Sequence, residues 1–244
     1  MRLNRYLSVS GYTSRRKGEE IIREGRVAVN GAVVTDPAIH VEPDNALVTV
    51  DGVLLVINTE KRYYVMNKPA GAIVSKGDTH ARPTVYDILE SETKGVFSVG
   101  RLDFDTTGVL LFTDDGELAH RLAHPSFGVK KVYCANVKGR VNKSDIQKLK
   151  DGVILEDGLT APSDMVISES SKTGSTVELT IHEGRKRLVR RMLAHIGHPV
   201  VTLERISFGG ITADAIPPGS YRPLTSKEIK ILKKATAMPS AKDK

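Results

Sequence analysis

The strongest candidate for chemistry in this sequence is the carboxylate of Asp103, in the segment GRLDFDTTGVLLFT at residues 100–113. Asp105, two positions further on, is a second and weaker candidate. A mostly apolar run precedes them at residues 96–99, and a second apolar run follows at residues 109–112. This pattern predicts two strands that hold a polar turn between them and present Asp103 in a cleft. The simpler interpretation is that Asp103 only closes the turn through its own backbone.

A basic segment, EGRKRLVRRMLAHIG at residues 183–197, is the second candidate. Its apolar residues Val189, Met192, Leu193 and Ile196 recur at the spacing of one buried helix face. Five cations lie at or near the start of this helix, namely Arg185, Lys186, Arg187, Arg190 and Arg191. Helix N-termini favour anions, so an RNA backbone would relieve this arrangement, although a solvated basic face is the simpler interpretation.

The helices and strands that must position these residues are predicted to form an α+β fold. The first sixty residues predict two helices, at Arg2–Leu7 and within 14–25, and the second helix is expected to be capped by Thr13 or Ser14. Turns at Asn30–Gly31 and Asp51–Gly52 then predict two hairpins of a small sheet. A polar linker is predicted at residues 58–62. The later predicted elements are a strand from Tyr63 to Lys68, a short helix at Thr84–Leu89, a helix capped by Asp114 or Asp115, a strand at 130–139, a helix at Asn142–Leu149, strands within 151–180, a strand at Leu203–Phe208 and a last helix at Ser226–Lys234 capped by Ser226.

Composition limits the class of protein. The chain has 244 residues, a net charge of +7 and a pI of about 9.4, which suits a polyanionic partner as well as ordinary solubility. Its one cysteine, Cys134, excludes an intrachain disulfide and a cysteine-cluster metal site, and its histidines lack zinc-ligand spacing. No apolar run is long enough to span a membrane and no secretory signal is visible, so we expect a cytoplasmic protein without a metal site.

The N-terminal module resembles a small RNA-binding domain found in a small-subunit ribosomal protein, some tRNA synthetases and several RNA-modifying enzymes. The resemblance rests on LNRYLSVSGYTSRRKGEEIIREGRVAVNG and the later VDG. Arg15, Arg16 and Lys17 begin a predicted helix, where cations are unfavourable unless a phosphate compensates. The candidate RNA-binding residues of this module are Arg2, Arg5, Arg15, Arg16, Lys17 and Arg26.

Taken together, the chain resembles the ribosomal-RNA pseudouridine synthases of the small-subunit/large-subunit uridine family. Four motifs occur in the family order: NKPAG, GRLDFDTTGVLLFTDDGELAHRLAHPS, KKVY and EGRKRLVRRML. The resemblance implies an RNA-binding domain at residues 1–60 and a mixed, mainly antiparallel catalytic domain with flanking helices at 61–236. Residues 237–244 are expected to form a disordered tail.

The resemblance also implies roles for particular residues. Asp103 matches the catalytic aspartate, Tyr133 the tyrosine that stacks on the target base, and Arg190 the arginine that pairs with the aspartate. Val189 matches the apolar residue that lines the uracil pocket, but Leu188 replaces the family's glutamine and receives no site role. Arg101 and Lys131 are further candidates for substrate binding, and the candidate RNA contacts of the catalytic domain are Arg185, Arg187 and Arg191.

The resemblance implies isomerisation of a uridine by a monomer that needs no metal or organic cofactor and acts on ribosomal RNA or a pre-ribosomal particle. In such a reaction Asp103 acts on the sugar as a nucleophile or as a base. A non-catalytic RNA-binding or ribosome-assembly protein is one alternative, in which Asp103 is dispensable. A glycosidic hydrolase is another, in which Asp103 and Asp105 work as a pair and free base is released.

Overall fold

The computed structural model describes residues 1–57, 60–78, 80–89, 93 and 95–237. Residues 58 and 59 of the predicted linker and residues 238–244 of the predicted tail lie outside this part of the chain. The described residues divide into two compact units, one made of those within 1–62 together with 93 and 95–97, the other of those within 63–89 and 98–237. No helix among the described residues is both long enough and apolar enough to cross a membrane.

The first unit contains two helices and an antiparallel sheet of four strands. Its elements are α1 (Leu3–Val9), α2 (Arg15–Arg23), β1 (Val27–Val29), β2 (Ala32–Val34), β3 (Val48–Val50) and β4 (Val53–Leu54). The strand order in the sheet is β2-β1-β3-β4. The buried core joins both helices to the sheet through Leu3, Leu7, Ile22, Val27 and Val48.

Local sequence signals account for the turns of this unit. The Ser14 side chain accepts a hydrogen bond from the Lys17 amide at 3.3 Å, so Ser14 is the cap of α2. Both predicted hairpins are confirmed. The residues of the Asn30–Gly31 turn have φ values of 51° and 85°, and those of Asp51–Gly52 have 50° and 81°. These left-handed pairs match the twist of two-residue hairpins.

The strands of the later chain are β5 (Tyr63–Lys68), β6 (Phe97–Ser98), β7 (Thr106–Thr113), β8 (Lys131–Lys138), β9 (Ile154–Leu155), β10 (Gly158–Leu159), β11 (Asp164–Ser170), β12 (Gly174–Ile181), β13 (Val200–Phe208) and β14 (Tyr221–Pro223), and its helices are α3 (Gly116–Ala123), α4 (Lys143–Asp151), α5 (Leu188–His195) and α6 (Ser226–Ala235). The second unit is built on one mixed sheet with the strand order β11-β12-β8-β13-β7-β5-β14. Neighbouring strands in this order pair antiparallel, except that β13 runs parallel to β7. The predicted mixed, mainly antiparallel architecture is therefore confirmed.

The parallel pairing of β7 with β13 brings Gly108 directly opposite Arg205. Gly108 has φ of +97°, and a Cβ atom at this position would overlap the backbone of Arg205. Only glycine combines this backbone conformation with so close an approach of the neighbouring strand. Gly108 therefore allows β7, which follows the candidate aspartate, to pack against β13.

Two local predictions differ from the structure. Residues 84–89 form turns instead of a helix, because Thr84 and Asp87 exchange capping hydrogen bonds that no helix continues. Helix α6 is capped by Thr225 and not by Ser226, since the Thr225 side chain accepts from the Glu228 amide. The caps of α3 and α4 are Asp115 and Asn142, in agreement with the sequence.

The sequence pattern of β8 predicts Val132, Cys134 and Val137 to face inward, and the structure differs from this prediction. Tyr133, Ala135 and Val137 are buried, whereas Val132 and Cys134 are only half-buried on the opposite face. Side chains alternate along a strand, so Val137 could not share a face with Val132 and Cys134. The inward face of β8 is therefore the one that carries Tyr133.

Candidate active site

A cavity of about 790 Å³ in the second unit brings together most of the predicted catalytic-domain residues. Its walls come from the segment before β7, the inward face of β8, the start of α5 and the end of β13. The predicted residues that line it are Arg101, Asp103, Lys131, Tyr133, Arg185, Arg187 and Val189. The other predicted residues of this unit, Arg190 and Arg191, are not among its lining residues.

Asp103 lies in the turn that leads into β7. The turn is closed by the backbone, because the Thr106 amide donates to the Asp103 carbonyl at 3.1 Å. The Asp103 carboxylate makes no hydrogen bond within the described residues and its side chain is 33% exposed. A carboxylate that only capped the turn would accept a backbone hydrogen bond. The side chain is thus free to meet a ligand in the cavity.

The arginine arrangement differs from the expected one. Nη2 of Arg190 lies 3.1 Å from Oδ2 of Asp105 and donates to the Asp105 carbonyl at 3.0 Å, so the predicted pairing of Arg190 with Asp103 is wrong. The backbone bond fixes the guanidinium on the Asp105 side of the turn. Asp103 instead forms its ion pair with Arg187, whose Nη1 lies 3.9 Å from Oδ2.

Asp105 is surrounded by positive charge. Arg187 donates to Oδ1 of Asp105 at 3.3 Å, in addition to the contact from Arg190. Partial burial raises the pKa of Asp105, but the hydrogen bond from Arg187 and the charges of Arg190 and Arg187 together hold it below the usual range. The Asp105 carboxylate is therefore already bound by two arginines. This pairing suits a role for Asp105 in holding the turn before β7 in place.

Lys68 is a site residue that sequence reasoning missed. Its side chain is fully buried at the end of β5, and its Nζ donates to the carbonyl oxygens of Pro69 and Thr106, each at 2.9 Å. Buried lysines are rare unless such partners are present. Its hydrogen bonds tie the end of β5 to the start of β7 immediately beside Asp103. The available signal was a lysine at the end of an apolar strand, just before a proline.

Burial lowers the pKa of Lys68 to about 8, although the charges of Asp103 and Asp105 oppose this shift. Between about pH 8 and the ordinary value of 10.5, the unfolded chain therefore binds more protons than the folded chain. This group makes the free energy of unfolding rise with pH in that window. We expect Lys68→Met to remove the rise, so that wild type gains about 2 kcal/mol over the variant between about pH 7 and about pH 9.5 in urea unfolding.

The matched control for this prediction is Lys138→Met, since Lys138 is a solvent-exposed lysine of β8. The control should keep the pH dependence of the wild type. A stability difference between wild type and Lys68→Met that stays constant across this pH range would contradict a titrating amine buried at position 68.

The deeper wall of the cavity carries two further cations. Lys131 and Arg205 are 5% and 2% exposed, and both lie against the ring of Phe208. Tyr133 is also buried and lines the cavity between β12 and β13. Arg205 and Phe208 were not predicted as site residues, because nothing in the strand pattern of 203–208 distinguishes them from ordinary sheet residues.

Several predicted RNA-binding residues are held in ion pairs within their own units. Arg185 and Arg191 both contact Asp157 in the β9–β10 hairpin, at 3.0 and 2.8 Å, and Arg185 also donates to the Leu159 carbonyl at 3.0 Å. Arg26 is bound to Asp51, with Nε at 3.0 Å from Oδ1. Each of the three arginines therefore already has a carboxylate partner, and its contact with RNA stays a prediction.

The other predicted RNA-binding residues of the first unit are exposed. Arg15 and Arg16 are solvent-exposed at the start of α2, and neither forms an ion pair within the described residues. Lys17 is exposed but lies 2.8 Å from Glu20. Arg2 and Arg5 are also solvent-exposed. The described residues contain no group of three histidine, cysteine or acidic side chains that could hold a metal ion.

Known proteins match the same two parts of the chain. A family described as RNA pseudouridylate synthase matches residues 62–195, and the S4 domain family matches residues 1–47. An uncharacterized RNA pseudouridine synthase of Aquifex aeolicus (strain VF5) is 41% identical over 239 residues, which cover 98% of this chain and 96% of that protein. Ribosomal large subunit pseudouridine synthase B of Bacillus subtilis (strain 168) is 40% identical over 234 residues, 95% of each chain.

A solved structure agrees with these matches. A crystal structure of a pseudouridylate synthase superposes with a TM-score of 0.69 at 32% identity, and the match covers 95% of this chain and 99% of that one. The chain therefore belongs to the family of RNA pseudouridine synthases, and its N-terminal unit is an S4 domain. The predicted family, the isomerase class and the RNA substrate are confirmed.

Proposed function

We propose that this protein converts a specific uridine of ribosomal RNA into pseudouridine, with Asp103 as the catalytic carboxylate. The observation that carries the proposal is the Asp103 carboxylate, which lines the cavity without a hydrogen bond from the described chain. The ribosomal substrate is inferred from the Bacillus subtilis relative, whose name assigns it to the large ribosomal subunit. We further propose that the protein acts in the cytoplasm and as a monomer, and a ribosomal substrate supports that location.

The reaction detaches uracil from its ribose, rotates the ring and rejoins it through C5. It needs no oxidant and no energy input, because substrate and product are isomers. Asp103 acts on the sugar, either by attack at C1′ or by removal of a sugar proton. Arg187 supplies positive charge beside this carboxylate, while Arg190 holds the neighbouring Asp105.

Tyr133 and Val189 are proposed to hold the base. A base must leave its stack before an enzyme can act on it, and a flat ring in the pocket compensates for the lost stacking. Tyr133 is buried in the cavity wall and Val189 is buried in the first turn of α5. Arg101 and Arg187 are exposed at the cavity, and we propose that they contact the RNA backbone.

The exposed arginines of the S4 domain are expected to contribute to RNA affinity. Arg15→Ala combined with Arg16→Ala should weaken RNA binding and make its salt dependence shallower. The magnitude of the negative slope of log K against log salt should decrease by about 1.5, because two phosphate contacts no longer release counterions. Filter binding over a salt series measures both quantities. The matched control is Arg23→Ala on the same helix, since Arg23 is already paired with Glu19 at 3.6 Å. An unchanged salt slope in the double variant would count against phosphate contacts at α2.

The proposed function is tested by incubating the purified protein with unmodified ribosomal RNA transcripts and mapping pseudouridine at single-nucleotide resolution. We expect one new pseudouridine and no free uracil. Free uracil with no pseudouridine would indicate a hydrolase. RNA binding without any change of the RNA would indicate a binding or assembly protein.

A further inference from the structure

Two buried cations share the inner wall of the cavity without a carboxylate. Lys131 on β8 and Arg205 on β13 lie on paired strands. The centre of the Phe208 ring is 5.3 Å from Nζ of Lys131 and 4.7 Å from Cζ of Arg205. Neither cation forms an ion pair within the described part of the chain. Buried charges without a counterion are strongly unfavourable, so this arrangement points to an anionic ligand.

Arg205 has donor capacity that the protein does not use. Its Nε donates to the Val109 carbonyl at 2.8 Å, whereas its Nη2 is buried and has no hydrogen-bond partner in the described chain. Burial and then the charge of Arg205 lower the pKa of Lys131 to about 8. The two groups therefore oppose each other's charge until an anion lies between them.

We propose that Lys131 and Arg205 form a subsite for the negative charge that uracil carries while it is detached from the ribose. This inference rests on the proposed isomerisation. When the C1′–N1 bond breaks, its electron pair stays on N1 and is delocalised onto the O2 and O4 oxygens of the ring. When C5 then bonds to C1′, the ring becomes neutral, and the proton lost from C5 is balanced by one gained at N1. Cations at this wall stabilise the base only during the detached stage, which accelerates the reaction.

The position of the pair favours the base over a phosphate. Lys131 and Arg205 are at most 5% exposed, and the cavity lining beside them includes the apolar Ile181, Val189 and Leu203. A phosphodiester would have to lose its water to reach this wall, whereas a flat ring with diffuse charge suits an apolar slot with two donors. The phosphates can be bound by the exposed side of the cavity, where the Arg187 side chain is 44% exposed.

The first test compares Lys131→Met with Lys131→Arg in single-turnover reactions at saturating RNA. Lys131→Met should slow pseudouridine formation by about 10²-fold with little change in RNA affinity, and Lys131→Arg should restore most of the rate because it keeps the charge. The wild-type rate should also decline as the pH rises through about 8, and Lys131→Arg should move that decline to higher pH. Weakened RNA binding with an unchanged rate would overturn the proposal in favour of a phosphate contact.

The second test does not depend on turnover. The wild-type protein should favour the anionic form of 5-nitrouracil, a base with an acidic ring N–H, and so shift its absorbance titration to lower pH. Lys131→Met and Arg205→Lys, each first checked for a normal melting temperature, should reduce that shift, and inorganic phosphate should not compete. No shift with the wild type would overturn the subsite. A shift in a protein that forms no pseudouridine would retain the subsite and contradict the proposed function instead.

Discussion

Asp103→Asn and Asp103→Ala are expected to abolish pseudouridine formation, with a loss of rate on the order of 10³-fold or more, while RNA binding survives. The carboxylate makes no hydrogen bond within the described residues and forms only a 3.9 Å ion pair with Arg187, so its removal should disturb little of the local structure. Its contribution is to the chemistry at the sugar and not to phosphate contacts. Single-turnover rates and RNA dissociation constants measured on the same preparations separate the two effects.

Asp105→Asn is the matched comparison for these variants. Asp105 has the same side chain and is more exposed than Asp103, but its carboxylate is bound by Arg187 and Arg190. We expect a smaller loss of rate, accompanied by a loss of stability that the Asp103 variants do not show. Turnover retained by Asp103→Ala would remove this residue from the catalytic role, and equal loss in both positions would favour a mechanism with paired carboxylates.

Gly108→Ala should lower the free energy of unfolding of the catalytic unit by about 3 kcal/mol and its melting temperature by about 6–12 °C. The glycine has φ of +97°, which is strained for alanine, and the added Cβ would overlap the backbone of Arg205. Because β7 and β13 are held together at this point, the strands would have to separate. Thermal unfolding of the whole chain, followed by calorimetry, measures the effect.

Gly197→Ala separates the two causes. Gly197 has nearly the same φ, +93°, but no atom lies within 4 Å of a Cβ built there. Its substitution should therefore cost only about 1 kcal/mol, the conformational part alone. If the two variants had the same free energy of unfolding, the close approach of β13 to Gly108 would contribute nothing to the cost of Gly108→Ala, which would contradict this prediction.

Features that depend on neighbours in sequence could be predicted. The hairpin at Asn30–Gly31 follows from the backbone conformations that these residues tolerate, and the buried face of α5 follows from the spacing of Val189, Met192 and Leu193. The placement of Asp103 in a cavity beside Tyr133 and Val189 came from the motifs and their order, and the structure brings these three residues to one cavity.

Features that depend on distant partners could not be predicted. Arg190 contacts Asp105 and not Asp103 because of how α5 meets a loop some eighty residues away, which no local pattern encodes. The same holds for Asp157, which forms ion pairs with both Arg185 and Arg191. A basic run in sequence does not show which of its members face solvent and which are already paired, because the partner lies on another element.

The measurement that tests the central claim most directly is a site-resolved pseudouridine map of ribosomal RNA from cells with and without this gene. We predict that one modified position disappears without the gene, returns with the wild-type chain and does not return with Asp103→Ala. A map that is identical in all of these cells would contradict the proposed activity on ribosomal RNA. Restoration of the missing position by Asp103→Ala would contradict the catalytic role of this carboxylate.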